Sequence, residues 1–500
     1  MDALRIGGQV LYVFGGGAFT LLVGLPLQIY VVRSLGAQQF GAYSLVEGAL
    51  ATIANLLAFG IAPTAVRFIP EHLARGESGH VRSLVALATV ALLAVGTAGA
   101  VVTALLSHEV ITWWGMDRNV QTVITVMVLT IPIGLLTFLY QQILRGFQEI
   151  FIMIFVSSVV TLTAKAALSV LLIHDGWGTV GYAWAVVLSS SLGLTVMAAA
   201  AVRLLWRLER TDEELARPMR LWIRYASVLY ANGLFSTAVQ YMDRFLVGAL
   251  IGADGVATLV VVRQLQQLPA TMFNMFVTVI GPMFAASRGP QLRNIYQVTT
   301  DWCIRLALPL ILFLGIFAGA VLNWYGRDFS ENGSALLLLL LLATIINMAY
   351  GPIGQLLLMT GHESNALQVT IASMSTTMLL YLVLIPLFGT TGVGIAVVLA
   401  TVLSNVLSFR IARRELGHVW WAARYTAWLL PLVLSLSCLL VLRVSLGWSV
   451  YVPAAWLAVG LLLAYASFGA GNLISGLHAD DRALFAAVKA RLRSSTGFGG

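Results

Sequence analysis

Charge is what this sequence has least of. Only 10% of its 500 residues are charged, 59% are hydrophobic and the mean hydropathy is +0.90. A chain of this length could not cover a water-facing surface with so little charge, which excludes a soluble enzyme and a nucleic-acid-binding domain. Lysine occurs only at Lys165 and Lys489. No G-x-x-x-x-G-K-[ST] loop exists to cradle nucleotide phosphates, so the chain is not expected to hydrolyse ATP. The two cysteines, Cys303 and Cys438, are too few for a disulfide framework or a thiolate metal cluster, and H-E-x-x-H is missing. No cofactor and no metal are expected. The first apolar run is long and lacks a small-residue cleavage site, so it is read as a retained span.

Apolar runs are what the sequence does have. Fourteen of them are long enough to cross a bilayer: 8–33, 41–66, 83–106, 120–143, 150–173, 178–202, 225–251, 255–284, 303–323, 334–359, 366–387, 391–410, 426–443 and 451–471. The joints are short and turn-like, as in "HDGWG" (174–178), "LFGTTG" (387–392) and "YGRDFSENG" (325–333). Arginine gathers in the even-numbered connections, with Arg75 and Arg82, then Arg145, then six arginines from Arg203 to Arg224, then Arg288 and Arg293, then Arg413, Arg414 and Arg424. Lys489, Arg482, Arg491 and Arg493 lie in the tail. The positive-inside rule therefore predicts cytoplasmic termini in a prokaryotic inner membrane.

The long polar connection in the middle divides the chain into a six-helix lobe at 1–203, a linker at 204–223, a second six-helix lobe at 224–413, a helix pair at 425–472 and a tail at 473–500. Shifting the first half by 216 residues lays "SLGAQQFGAYSLVE" (34–47) on "LIGADGVATLVVVR" (250–263), so Gly36-Ala37 meets Gly252-Ala253. Repeats of equal orientation are a transporter plan, with substrate bound between them. The fold expected is an all-α polytopic membrane protein of about 14 transmembrane helices, two lobes around a central cavity.

"VVRSLGAQQFGAYSLVEGALATIANLLAFGIAPTAVRFIPEHLARG" (31–76) resembles the first two helices of polysaccharide and O-antigen (Wzx-type) flippases, with their leucine-glycine, polar turn, phenylalanine-glycine and tyrosine. "MDRFLVGALIGADGVATLVVVRQLQQLP" (242–269) resembles helices seven and eight of the same family. The resemblance implies the MATE-like fold of the multidrug, oligosaccharidyl-lipid and polysaccharide exporter superfamily. It also implies a flippase that moves undecaprenyl-pyrophosphate-linked oligosaccharide from inner to outer leaflet by alternating access, with a polysaccharide polymerase and glycosyltransferases as partners. Competing readings are a cation-coupled drug antiporter of the same fold, a lipid II flippase, and a membrane glycosyltransferase or polymerase. An acid in the first span, expected of the proton-coupled antiporters, is replaced here by Gln28, and the external loops are too short to hold a catalytic site.

Charges inside the spans are the candidate site, because each costs roughly 2.5–3.5 kcal/mol to insert. Lys165, about 22 Å along span five at 1.5 Å per residue, is expected to face the bundle interior. Asp243 and Arg244 stand side by side in "AVQYMDRFLV" (238–247), and on adjacent helices Asp243 and Arg263 lie at equal depth below the Gly252 turn. The 216-residue shift places Glu47 opposite Arg263 and Gln28 opposite Arg244, which predicts an outer gate of Glu47 and Arg263 with Asp243 as second partner. Lys165, Arg244, Arg67 and Arg145 are the candidate pyrophosphate contacts. Gln28, Gln240, Tyr241 and Gln264 are the sugar contacts. Asp301 and Arg305, spaced i, i+4, are expected to pair along one helix.

Overall fold

The computed structural model describes residues 3–114, 118–208, 216–287, 289–416 and 428–475. Most of the tail and the middle of the 204–223 linker lie outside these residues. The described chain is helical with no strand, and each expected apolar run falls on helix. The first two runs form α1 (Ala3–Leu57) and α2 (Ile61–Ala74). They are followed by α3 (Ser78–Trp114), α4 (Arg118–Met127), α5 (Thr130–Gly146), α6 (Ile150–Ile154), a π-helical turn (Phe155–Val160), α7 (Thr161–His174), α8 (Gly178–Trp206) and α9 (Ala216–Leu250). Then come α10 (Ala253–Ala286), α11 (Gly289–Ile316), α12 (Ala318–Asn323), α13 (Arg327–Ala349), α14 (Ile353–Met359), α15 (Glu363–Phe388), α16 (Thr390–Leu416), α17 (Leu429–Ser445) and α18 (Ala454–Ile474).

Ten helices among the described residues are long and apolar enough to cross a membrane. Leu22, Leu105, Val441 and Leu462 are each at least 70% exposed, a surface that water would not tolerate and hydrocarbon does. The chain is a multi-pass membrane protein.

The elements depart from the apolar runs where polar residues extend a helix. Span nine was expected from 303, yet α11 begins at Gly289; the stretch "GPQLRNIYQVTTDW" is polar, and hydropathy marks only what crosses hydrocarbon. "YGRDFSENG" is largely helical rather than a turn. Gly326 at φ 147° makes the corner, and α13 starts at once with Asp328 in its first turn and Arg327 Nε 2.8 Å from Glu331 Oε1. Span ten breaks at Gly351-Pro352, where Gly351 has φ 65° and Pro352 offers no N–H.

Helix packing divides the chain into two compact units, Met1–Ala257 and Thr258–Gly500. The boundary at 257/258 lies past the 204–223 connection, because α9 packs on α1 and α2. The two turns aligned by the repeat share a conformation that favours glycine, since Gly36 interrupts α1 at φ 77° and Gly252 precedes α10 at φ 105°.

In the first unit α9 runs antiparallel along the second half of α1. A methyl group on Gly41 would come within 1.8 Å of the Ala253 carbonyl oxygen, and one on Gly248 within 2.6 Å of Leu45. At the other end Gly60, with φ 65°, lies against the Ala226 carbonyl. Membrane helices gain most of their association from such close van der Waals contact, because lipid supplies no hydrophobic drive between them. In the second unit α17 and α18 pack on each other at Gly471 and Pro431, and on α11 through Tyr465 Oη, which donates to Leu306 O at 3.0 Å.

Candidate functional site: a polar cavity and charge cluster in the first unit

Residues of α1, α4, α5, the π-helical turn with α7, and α8 build a cavity of about 570 Å3 wholly within the first unit. On α1 the lining residues Glu47, Ala51, Ala54 and Ala58 recur at i, i+4, i+7 and i+11; on α5 Thr130, Gly134, Thr137 and Gln141 follow the same interval. That interval is one stripe of a helix. Ser157 and Thr161 add hydroxyls from the π-helical turn and the start of α7, and Phe138 presents an exposed ring. Glu47 supplies the carboxylate, and no arginine or lysine among the described residues lines the space.

The charges gather beside it. Arg244 Nη1 lies 3.7 Å from Glu47 Oε2, and its guanidinium sits 5.1 Å from the Tyr241 ring. Gly48 makes room for both, with Tyr241 and Arg244 at 3.4 and 3.6 Å from where its Cβ would be. Asp243, on the adjacent face, is buried and accepts the Arg244 backbone N–H at 2.8 Å. Lys165 holds its ammonium 5.3 Å from the Tyr182 ring, and Tyr182 packs 4.7 Å from Tyr43. A cation over an aromatic face is stabilised by the ring quadrupole, most strongly where water is scarce. The π-helical turn that precedes α7 is a feature often found at functional sites, because its extra residue re-aims the side chains that follow.

The remaining expected residues are spread more widely. Arg263 belongs to the second unit and donates to Tyr381 Oη at 3.3 Å; Gln264 follows it there, half-buried. Gln28 Oε1 is buried without a hydrogen-bond partner. Arg67 stacks over Tyr225 at 4.6 Å and reaches Glu71 at 4.0 Å, so its charge is already engaged. Arg145 is exposed in the last turn of α5. The Gln240 side chain lies outside the described residues. Sequence reading passed over Gly134, Thr137, Phe138, Tyr43 and Tyr182, although the polar stripe at 130, 134, 137 and 141 was a visible signal.

At the α2–α3 turn, His72, Glu77 and His80 converge to within 4.8 Å. His72 Nδ1 is 2.6 Å from Glu77 Oε2, and Trp222 Nε1 donates to His72 Nε2 at 3.3 Å. Indole N–H is only a donor, so Nε2 accepts and Nδ1 carries the proton given to Glu77. Both ring nitrogens are thus occupied, and a metal ion at His72 would have to displace one of these bonds.

The hydrogen bond from His72 is the main reason the Glu77 carboxyl sits below its usual range, helped by His80. A depressed carboxyl stabilises the fold above its unfolded value, about 4.3, and that stabilisation disappears as pH falls through the lowered folded value. Glu77→Gln is therefore expected to lower the Tm of the solubilised protein at neutral pH, with the difference from the unsubstituted chain closing below about pH 4. A difference that widens on acidification would contradict this assignment.

Solved structures share this architecture. A lipid II flippase, MurJ, in an inward closed conformation has a TM-score of 0.69 at 11% identity, covering 93% of this chain and 98% of its own. An inward-facing multidrug resistance MATE family transporter of the MOP superfamily has a TM-score of 0.63 at 16% identity, covering 80% of this chain and 94% of its own. The fold is thus the one shared by these MATE and MurJ structures, as the resemblance implied. The family model described as "Polysaccharide biosynthesis protein" matches residues 6–288. More than half of the chain is included, and the chain belongs to that family. A relative in Shigella flexneri, named "Putative O-antigen transporter", is 21% identical over 354 residues, which is 66% of this chain and 79% of that one.

Proposed function

We propose that the protein is a flippase that carries undecaprenyl-pyrophosphate-linked oligosaccharide from the inner to the outer leaflet by alternating access, for export of a cell-surface polysaccharide. The observation that carries this reading is the cavity, a space of about 570 Å3 whose largely apolar wall is set with the Asn55 and Gln141 amides, the Glu47 carboxylate and serine and threonine hydroxyls, in a chain of the polysaccharide biosynthesis family. Hydrocarbon-facing helices have no use for such a lining, whereas a glycan needs it to replace the water it sheds. The basic even-numbered connections orient the termini to the cytoplasm, so substrate loads where glycosyltransferases make it and leaves where a polymerase consumes it. The protein performs no bond chemistry.

The family match and the O-antigen transporter relative favour an oligosaccharide over a drug or over lipid II. Deleting the gene in its host is expected to abolish the surface polysaccharide and leave its lipid-linked precursor on the cytoplasmic side. An unchanged surface polysaccharide would sink the proposal.

Glu47 and Arg244 form the charge pair this transport depends on, because removing either strands the other inside the membrane. Glu47→Gln and Arg244→Gln are each expected to reduce transport at least about tenfold, a loss of about 1.4 kcal/mol in transition-state terms. The swap Glu47→Arg with Arg244→Glu should recover part of it. Failure of the swap to improve on either single change would mean the two side chains do not act as a pair.

A further inference from the structure

We infer that the first-unit cavity is a glycan subsite that takes a short, non-anionic pyranose segment, with the pyrophosphate of the same molecule held outside it. This rests on the flippase reading and assigns one part of the substrate to one place. The expectation that pyrophosphate and sugar share a cationic cavity gives way here to a division of labour.

Charge decides against the phosphate. Among the described residues the one ionisable group lining the cavity is Glu47, and its partner Arg244 stands outside the lining at 3.7 Å. At low dielectric a carboxylate repels a dianion strongly, and the same repulsion disfavours uronic acids. A carboxylate with neighbouring amides and hydroxyls is instead a matched acceptor set for sugar hydroxyls, and the exposed Phe138 ring offers a face for the C–H side of a pyranose. Small-molecule sites span about 300–1000 Å3, so the cavity has room for a short glycan segment.

Gly134 gives an independent observation. It lies inside α5, where glycine is roughly 0.5–1 kcal/mol worse than alanine, yet a methyl group there would meet nothing within 4 Å. Packing against protein therefore does not account for the absent side chain. The space it leaves opens into the cavity. The Thr137 hydroxyl on the same wall is buried without a hydrogen-bond partner, a deficit that an arriving ligand hydroxyl would relieve.

The test places a cysteine in the cavity. Gly134→Cys, in a chain whose Cys303 and Cys438 are changed to serine, is reconstituted in nanodiscs and labelled with a maleimide. Three prenyl pyrophosphates are compared: one bearing a neutral disaccharide of glucose, galactose or N-acetylglucosamine units, one bearing a uronic acid disaccharide, and one bare. The neutral glycan is expected to slow labelling about tenfold at ten times its Kd, with little effect from the other two. Equal protection by the bare pyrophosphate, equal protection by the uronic acid, or no protection by any neutral glycan would each overturn the inference. Gly134→Leu should block transport of the neutral glycan lipid while melting no lower than Gly134→Ala; full transport through the leucine variant also overturns it. Leaflet transfer is measured separately on the same lipids. Protection without transfer would sink the flippase reading and keep the subsite, and transfer without protection would sink the subsite alone.

Discussion

Gly41→Ala is expected to abolish folding of the first unit. The added methyl would stand 1.8 Å from the Ala253 carbonyl oxygen, far inside van der Waals contact, and the obstacle is backbone rather than a flexible side chain. Relief requires α1 to separate from the α9–α10 turn, at the end of α9 that also brings Arg244 to Glu47. Overpacking in a well-packed interior costs about 1–3 kcal/mol when side chains can yield, and here they cannot, so at least about 3 kcal/mol is expected. Gly15→Ala is the matched control, since a methyl there meets nothing and alanine is the better helix former by roughly 0.5–1 kcal/mol. Size-exclusion profiles and Tm of the two solubilised variants read the result. A Gly41→Ala protein that melts with the unsubstituted chain would show that α9 does not pack on α1 at that turn.

The second large effect is expected at Asp301 in the second unit. Its carboxylate is buried, and Oδ1 accepts from Arg305 Nε at 3.0 Å and from Trp428 Nε1 at 2.6 Å. The i, i+4 pair expected from the sequence thus exists, and it does more than brace one helix, because Trp428 stands at the start of α17. Asp301→Ala removes the buried acceptor shared by the partly buried Arg305 guanidinium and the partly buried Trp428 indole. Breaking one side of a buried ion pair costs about 3–5 kcal/mol, and the Tm should fall accordingly. Asp301→Asn keeps an oxygen for Trp428 and should lie between. Cys303, buried two residues along α11 from Asp301, gives a local readout: in a Cys438→Ser background its maleimide labelling should rise in Asp301→Ala. Unchanged melting together with unchanged labelling would contradict the tie.

The spans were legible because a membrane imposes its length on the sequence; "VVTLTAKAALSVLL" and its like announce themselves by hydropathy. Helix ends were not, since "GPQLRNIYQVTTDW" forms helix through backbone hydrogen bonds that hydropathy does not register. The glycine turns at Gly36 and Gly252, aligned by the 216-residue shift, both take a positive φ, which favours glycine.

Asp243 and Arg244 stand out in the sequence by their cost, but their neighbours were hidden. Which neighbour Arg244 meets depends on how closely α9 approaches α1 at Gly48 and Gly248, a matter of packing between segments nearly 200 residues apart. The cavity escaped for a different reason. Half of its lining is alanine, glycine, serine and threonine, residues whose ordinary use in membrane helices is close packing, so the shared stripe at 130, 134, 137 and 141 was the visible signal.

The central claim is that this chain moves lipid-linked oligosaccharide between leaflets. Proteoliposomes holding the purified protein and a fluorescent undecaprenyl-pyrophosphate oligosaccharide test it directly, with quenching of the outer leaflet as the readout. Quenching is expected to proceed well beyond the outer-leaflet fraction, and to stop at that fraction in empty liposomes and with Glu47→Gln. Quenching that stops at the outer leaflet with the unsubstituted protein would contradict the account.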